Sequence, residues 1–138
     1  MSNFRQFMKQ NVKAHENKRI VLSDRFVGED GEPIAFEFRT LTSKDVDAAR
    51  EAAVKRTGKR GTETDVDTTK LIHTLIEKAM VCPDLQDTEL QNSYGVMGAS
   101  ALISEMFDAK EYAKLNSIVT DLAGFDVDDE ELIKEAKN

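Results

Sequence analysis

The sequence is poor in the residues that stabilise small secreted or membrane-bound proteins. Its 138 residues include one cysteine, Cys82, two prolines and no tryptophan. A single cysteine cannot form an intrachain disulfide, so we expect a protein of a reducing compartment. No apolar run approaches the roughly 18 residues of a membrane span, and the N-terminus lacks the charged-then-apolar order of a signal peptide. Secreted, membrane and disulfide-framework proteins are therefore disfavoured.

Residues at catalytic or metal-binding spacing are also scarce. Neither histidine has a Cys, His or Asp at metal-ligand spacing, and we expect His73 at the surface or boundary of a helix. We expect Cys82 at a helix C-terminus, whose partial negative charge disfavours a thiolate nucleophile. The acidic stretch from Asp126 begins like an EF-hand loop, but Glu131 and Lys137 replace the required glycine and glutamate. We predict that the protein is not an enzyme and needs no metal or other cofactor.

Charge is distributed unevenly along the chain. Residues 1–61 carry 13 Lys and Arg against 9 Asp and Glu, whereas residues 62–138 carry 6 against 17. An acidic second half argues against a broad phosphate footprint and for protein partners. One basic cluster lies in the first half and keeps an alternative open, a small nucleic-acid-binding regulator that uses residues 55–60. The cluster consists of Lys55, Arg56, Lys59 and Arg60.

Hydrophobic periodicity predicts an α+β fold, in which an N-terminal β-hairpin packs on a mainly helical body. The hairpin strands are expected at 19–27 and 33–39, on either side of Asp30-Gly31, a strong turn signal. A loop is expected at 58–66, and a loop with a short helix at 84–97. The main helices are predicted at 44–57, capped by Thr42 or Ser43 and ended by Gly58, and at 67–81, 98–107 and 109–123.

The two ends of the chain have weaker patterns. Residues 3–13 place Phe4, Phe7, Met8 and Val12 at helical spacing. We expect a docked helix or a partner-binding arm there, because so few apolar residues would hold a bilayer weakly. Residues 1–125 are predicted to form a single domain, and residues 126–138 an acidic C-terminal tail or a frayed helix.

The run from Val81 to Gly98 contains Pro-Asp-Leu, Glu-Leu-Gln and Ser-Tyr-Gly-Val in that order. Arg25-Phe26 and Asp30-Gly31 precede it, and Glu111-Tyr112-Ala113 follows it. This ordered set resembles the XkdN-like tail assembly chaperones of long-tailed phages and of phage-like elements in bacterial chromosomes. The resemblance covers the chain from about residue 4 to residue 138.

The resemblance implies a protein that binds the tape measure protein in the host cytoplasm and keeps it soluble while the tail tube polymerises. It also implies that the protein is absent from the mature virion. A partner groove bordered by adaptable apolar side chains would suit this role, and a homo-oligomer is compatible with it. We assign partner binding to Leu85, Tyr94, Met97, Met106 and Phe107.

The resemblance further implies a second, longer product. Ala136-Lys137-Asn138 can be encoded by GCA AAA AAC, which contains the slippery heptamer A AAA AAC. We therefore hypothesise that a ribosomal frameshift at this point yields an extended form, which recruits tail tube protein.

Overall fold

Helices and short antiparallel strands alternate along the chain, and a computed structural model describes them over residues 4–57 and 63–125. The strands are β1 (Lys18–Ile20), β2 (Phe36–Phe38), β3 (Val54–Thr57), β4 (Glu63–Val66) and β5 (Met80–Cys82). The α-helices are α1 (Ser43–Ala53), α2 (Thr68–Ala79), α3 (Thr88–Ser93), α4 (Ala99–Met106) and α5 (Ala109–Leu122). These elements confirm the α+β class.

The predicted N-terminal hairpin is present, but its ladder is short. β1 pairs antiparallel with β2, with Lys18 opposite Phe38. The turn closes where Gly28 N–H donates to the Glu32 carbonyl at 2.9 Å. Gly31 has a φ of 79° there, a conformation that glycine adopts without steric cost. Residues 21–26, predicted as strand, leave the ladder and form an irregular connection.

A third strand completes this sheet and was not predicted. β5 pairs antiparallel with β2, so β2 is central in the order β1-β2-β5. The predicted helix at 67–81 includes residues 80 and 81, but α2 ends at Ala79. Cys82 therefore lies in a strand and not at a helix C-terminus, and it is exposed. Met80 continues the helical spacing of apolar residues in α2. The spacing therefore does not indicate that the chain passes from helix to strand at this residue.

A second hairpin replaces the predicted end of the first long helix. α1 ends at Ala53, and β3 pairs with β4 in a two-stranded sheet with Val54 opposite Val66. The predictions of helix to residue 57 and of loop over 63–66 are wrong, because the branched residues there favour strand. The predicted C-cap at Gly58 is also wrong, because Val54 caps the helix after Ala53. The N-cap prediction is confirmed at Thr42, whose side chain accepts from Asp45 N–H at 3.1 Å.

α2 lies at the centre of the helical body, where α1, α4, α5 and β5 pack against it. Asp67, Asp87 and Asp108 cap α2, α3 and α5 through their carboxylates. The predicted helices at 98–107 and 109–123 are confirmed to within a residue at each end. The core joins these helices to the central strand through fully buried side chains, namely Phe38, Leu75, Ile76, Leu102, Ile103, Leu115 and Val119.

The N-terminal segment differs from its prediction. Residues 3–13 were expected to form an amphipathic helix, but Phe4–Phe7 and Lys9–Asn11 are two 3-10 turns in which no residue is buried. A docked helix is therefore wrong, whereas a partner-binding arm stays a prediction. The predicted tail at 126–138 lies outside the described residues, and the single-domain boundary at residue 125 stays a prediction.

Candidate partner-binding site

The five predicted partner-binding residues lie in different environments. Leu85, Met106 and Phe107 are buried members of the core, Tyr94 is half-buried against it, and Met97 is 92% exposed. The structure therefore does not bring the five side chains to one exposed groove. Phe107 lines an open cleft.

The segment that carries the family resemblance is held together by Gln91. This buried side chain donates from Nε2 to the Leu85 carbonyl at 2.9 Å and accepts from Gly98 N–H at 2.9 Å. Leu85 and Gly98, on either side of α3, are thereby fixed to it. Gly98 has a φ of 93° at the start of α4, where a side chain would be strained. These residues organise the backbone that positions α4 and Phe107.

An open cleft lies where α2, α4 and α5 meet, and we call it the Phe107 cleft. Its volume is about 360 Å³. Phe107 and Ile103 are almost completely buried at its base, whereas Ser104 and Ala109 are exposed. The lining comprises Thr69, His73, Ile103, Ser104, Phe107, Asp108, Ala109 and Tyr112. A cleft of this kind can accept apolar side chains, with polar groups at its edge.

His73 is buried beside this cleft, contrary to the expected surface or boundary position. It is 5% exposed, and its Nδ1 lies 2.7 Å from Ser100 Oγ. Its ring meets Tyr112 edge-on, with centroids 5.7 Å apart. Burial lowers the pKa of His73, and the carboxylates of Glu77 and Asp67 oppose that shift. His73 is therefore a neutral packing residue at neutral pH.

Phe107 also connects the cleft to the N-terminal hairpin. Its ring centroid lies 5.7 Å from that of Phe36 in β2 and 5.9 Å from that of Phe26. Phe26 and Phe36 meet edge-to-face at 5.0 Å, a favoured aromatic geometry. We call Phe26, Phe36 and Phe107 the aromatic cluster. Its contacts hold the Phe107 ring in place against the N-terminal hairpin.

An ion pair between a half-exposed arginine and a buried glutamate holds the same junction on its polar side. The Glu111 side chain is 2% exposed and forms an ion pair with Arg25, whose Nε donates to Glu111 Oε2 at 2.9 Å. Ser23 Oγ donates to the same carboxylate, and Arg25 Nη2 donates to the Met106 carbonyl at 2.9 Å. The Arg25 hydrogen bonds and the Ser23 hydroxyl lower the pKa of Glu111 to about 2 despite its burial.

Sequence reasoning missed this ion pair. The spacing of Asp108 and Glu111 is that of a capping box, and Asp108 N–H does donate to Glu111 Oε1 at 2.9 Å. That signal was available and would have placed Glu111 at the start of α5. Its pairing with Arg25 has no local signal, because 86 residues separate the two.

A larger cleft, of about 590 Å³, lies between the start of α1 and the end of α5. Arg50 lies over the Phe125 ring, with the guanidinium carbon 4.6 Å from the centroid. Leu41, Val46 and Leu122 supply its apolar lining, and Asp47 and Arg50 its charges.

The basic cluster of the alternative function is only partly described. Lys55 Nζ lies 3.5 Å from an Asp67 carboxylate oxygen, while Lys59 and Arg60 lie outside the described residues. Within the described parts of the chain, nothing points to the nucleic-acid alternative.

Residues 4–57 and 63–125 contain no group of three His, Cys, Asp or Glu placed to hold a metal ion. Within the same ranges, no helix combines the length and apolar character needed to cross a membrane.

Comparisons with known proteins agree over nearly the whole chain. The family model described as "Phage XkdN-like tail assembly chaperone protein, TAC" matches residues 4–137. "Phage-like element PBSX protein XkdN" of Bacillus subtilis (strain 168) is 24% identical over 135 residues, which are 96% of this chain and 91% of that protein. "Uncharacterized protein YqbN" of the same organism is 25% identical over 132 residues, which are 94% of this chain and 88% of that protein.

A solved structure shows the same fold. The crystal structure of the protein YqbN superposes with a TM-score of 0.76 at 20% identity, covering 91% of this chain and 99% of that chain. At this identity the likeness concerns the fold alone.

Proposed function

The chain belongs to the family of XkdN-like phage tail assembly chaperones, and from that membership we propose that it binds a tape measure protein and keeps it soluble while the tail tube assembles. The observation that carries the proposal is the family match over residues 4–137. A tape measure protein is long and helical, so it exposes apolar faces until its tube exists. The proposed role is non-enzymatic, takes place in the host cytoplasm and ends before the virion is complete.

The Phe107 cleft is the surface that we propose for this partner. Its apolar base suits side chains from one face of an amphipathic helix, which is the common way in which a helix docks in a groove. Ile103 and Phe107 form the base, and Tyr112 forms a wall that is apolar and half-buried. The aromatic cluster and the Arg25–Glu111 ion pair keep this base in place without a partner, which limits the entropy lost on binding.

The five residues predicted for partner binding then have two roles in the proposal. Met97, which is almost fully exposed, offers an adaptable contact to the partner. Phe107 contacts the partner at the base of the cleft. Leu85, Tyr94 and Met106 support the cleft from within the core.

Co-expression with the tape measure protein from the same genome tests the proposal. We expect the wild-type chain to raise the soluble fraction of that protein and to co-purify with it on size exclusion. Ser104→Arg/Ala109→Arg should abolish co-purification, because both residues are exposed at the cleft and two guanidinium groups would occupy it. Ala52→Arg is the matched control, since Ala52 is exposed on α1 and is not part of this cleft. Equal solubility with and without the chain would contradict the proposed function.

A tail tube partner belongs to the same proposal. We propose that a frameshift-extended product recruits tail tube protein to the chaperone-bound tape measure protein. The codon of Lys137 tests the first step, because an AAG codon removes the slippery heptamer. An AAA codon together with a longer product detected by mass spectrometry would support the step.

A further inference from the structure

The N-terminal segment, which we define as residues 4–13, exposes several apolar side chains. Phe7 is 77% exposed, Met8 39% and Val12 52%, and no residue of the two 3-10 turns is buried. The turns are held by local hydrogen bonds, such as Asn11 N–H to the Met8 carbonyl at 2.8 Å. A locally ordered segment with exposed apolar side chains such as Phe7 and Val12 is typical of a binding element.

The charge of this segment has a single sign. Residues 4–15 contain Arg5, Lys9 and Lys13 and no Asp or Glu. All three cations are exposed, and within the described part of the chain none of them takes part in an ion pair. The segment therefore fits a surface that is apolar and rimmed by carboxylates.

The chain itself carries such a surface, which we call the acid-rimmed groove. It has a volume of about 400 Å³, with half-buried Pro83 and Leu90 in its lining and exposed Asp84, Asp87 and Glu89 around them. Asp84 Oδ1 accepts from Gln86 N–H at 2.9 Å, and Asp87 Oδ1 accepts from Leu90 N–H at 3.0 Å. These bonds hold two of the carboxylates at fixed positions on the rim.

No positive charge competes at this groove from its own stretch of sequence. Residues 79–109 contain five Asp and Glu and no Lys, Arg or His. Among the described residues, none of the three rim carboxylates forms an ion pair. The groove and the N-terminal segment are thus opposite in charge, and both lack a charge partner within the described structure.

We propose that the N-terminal segment of one copy docks in the acid-rimmed groove of a second copy, with Phe7 and Met8 against Pro83 and Leu90 and the cations of the segment against the rim carboxylates. The occupant is a second copy because this chain supplies both complementary surfaces at equal concentration. If two copies exchange segments reciprocally the contact closes as a dimer, and otherwise it extends as an open array. The inference does not rest on the proposed function.

Sedimentation velocity of the purified full chain over a range of concentrations tests the docking. We expect concentration-dependent association that weakens several-fold between 50 and 500 mM NaCl, because the cations and carboxylates are exposed. Arg5→Glu/Lys9→Glu should weaken it by about tenfold or more, since two attractions become repulsions. Phe7→Ser should weaken it by about tenfold through lost apolar burial. No residue changed here is buried, so the fold is retained.

A charge swap gives the decisive result. Asp84→Lys/Glu89→Lys alone should likewise associate about tenfold or more weakly than the wild type, since two attractions become repulsions. An equimolar mixture with Arg5→Glu/Lys9→Glu should regain association, because each variant supplies the surface that the other has lost. Asp47→Lys/Glu51→Lys makes the same change of charge on exposed positions of α1 and should associate like the wild type. If circular dichroism shows that the groove variant is unfolded, Glu89→Lys alone replaces it, since no hydrogen bond within the described chain uses the Glu89 side chain.

A wild type that stays monomeric at every concentration, or a mixture that does not associate, overturns the inference. Either result leaves the proposed function untouched, because co-purification with the tape measure protein is measured separately. Conversely, loss of that co-purification with an intact charge swap would contradict the proposed function alone.

Discussion

The two β-hairpins of this protein are built from the same motif but differ in what covers them. In the N-terminal hairpin, Phe36 and Phe38 of β2 are 2% and 0% exposed, and β5 adds a third strand. In the second hairpin, the facing residues Val54 and Val66 are each 45% exposed, and among residues 4–57 and 63–125 no third strand joins β3 and β4. An isolated two-stranded ribbon is marginal in water. The first hairpin is therefore part of the core, whereas the second is a partly exposed extension between α1 and α2 in the chain.

The largest test of this difference is truncation in the central strand. Phe38→Ala should reduce the free energy of unfolding by about 4 kcal/mol, because it leaves a cavity at a fully buried position. Urea denaturation followed by circular dichroism measures this change. A loss below about 1 kcal/mol would show that the core collapses around the site and that the hairpin is less integrated than its burial indicates.

The second test concerns the polar contact between the N-terminal hairpin region and α5. The pKa of Glu111 is lowered from 4.5 to about 2 in the folded chain, so the unfolded chain binds more protons between these values. The resulting stability is complete above pH 4.5 and is lost as the pH falls towards 2. We expect a loss of about 2 kcal/mol, less than the full shift would give because Arg25 is half exposed.

Arg25→Ala serves as the control for this pH dependence. Without the guanidinium, the pKa of Glu111 should rise and the loss of stability below pH 4.5 should become shallower. The lowered pKa of His73 adds a separate loss that begins near pH 6.5, and both proteins share it. Urea midpoints from pH 7 to pH 3 that run parallel in the two proteins would contradict the assigned role of Arg25.

The smallest effect is expected in the second hairpin. Val66→Ala should cost about 0.5 kcal/mol or less, since the side chain is nearly half exposed and its cross-strand partner is as well. The same urea experiment measures it beside Phe38→Ala. If Val66→Ala reduced the free energy of unfolding as much as Phe38→Ala, the second hairpin would contribute to the core. The two hairpins would then not differ in this respect.

The sequence predicts the pairing and the turn of the first hairpin, because that pattern is local, but it overestimates the length of both strands. Ile34, Phe36 and Phe38 alternate, and Asp30-Gly31 marks the turn, so both periodicity and turn chemistry point to one structure. The second hairpin lacks such a pattern, since Val54 continues the helical spacing of α1. β5 is hidden in the same way, because Met80 continues the stripe of α2.

The candidate site is less predictable, since its position depends on contacts between distant residues. Choosing apolar residues by type selected the exposed Met97, but also Leu85, Met106 and Phe107, which the fold uses as core. The periodicity of a helix distinguishes an inner from an outer face but does not tell whether a neighbouring element covers the inner face. The Arg25–Glu111 ion pair, which supports the site, joins residues 86 positions apart.

The distance in sequence between Arg25 and Glu111 also affects how the chain folds during its synthesis. A ribosome extends the protein from its N-terminus, so β1 and β2 are exposed long before β5 and α5 have been synthesised. Until then Phe36 and Phe38 lack their covering elements, and Arg25 lacks Glu111. Non-local pairings of this kind also slow folding, because the intervening chain must be ordered first. A protein of a chaperone family is thus itself, during its synthesis, a chain with uncovered aromatic side chains.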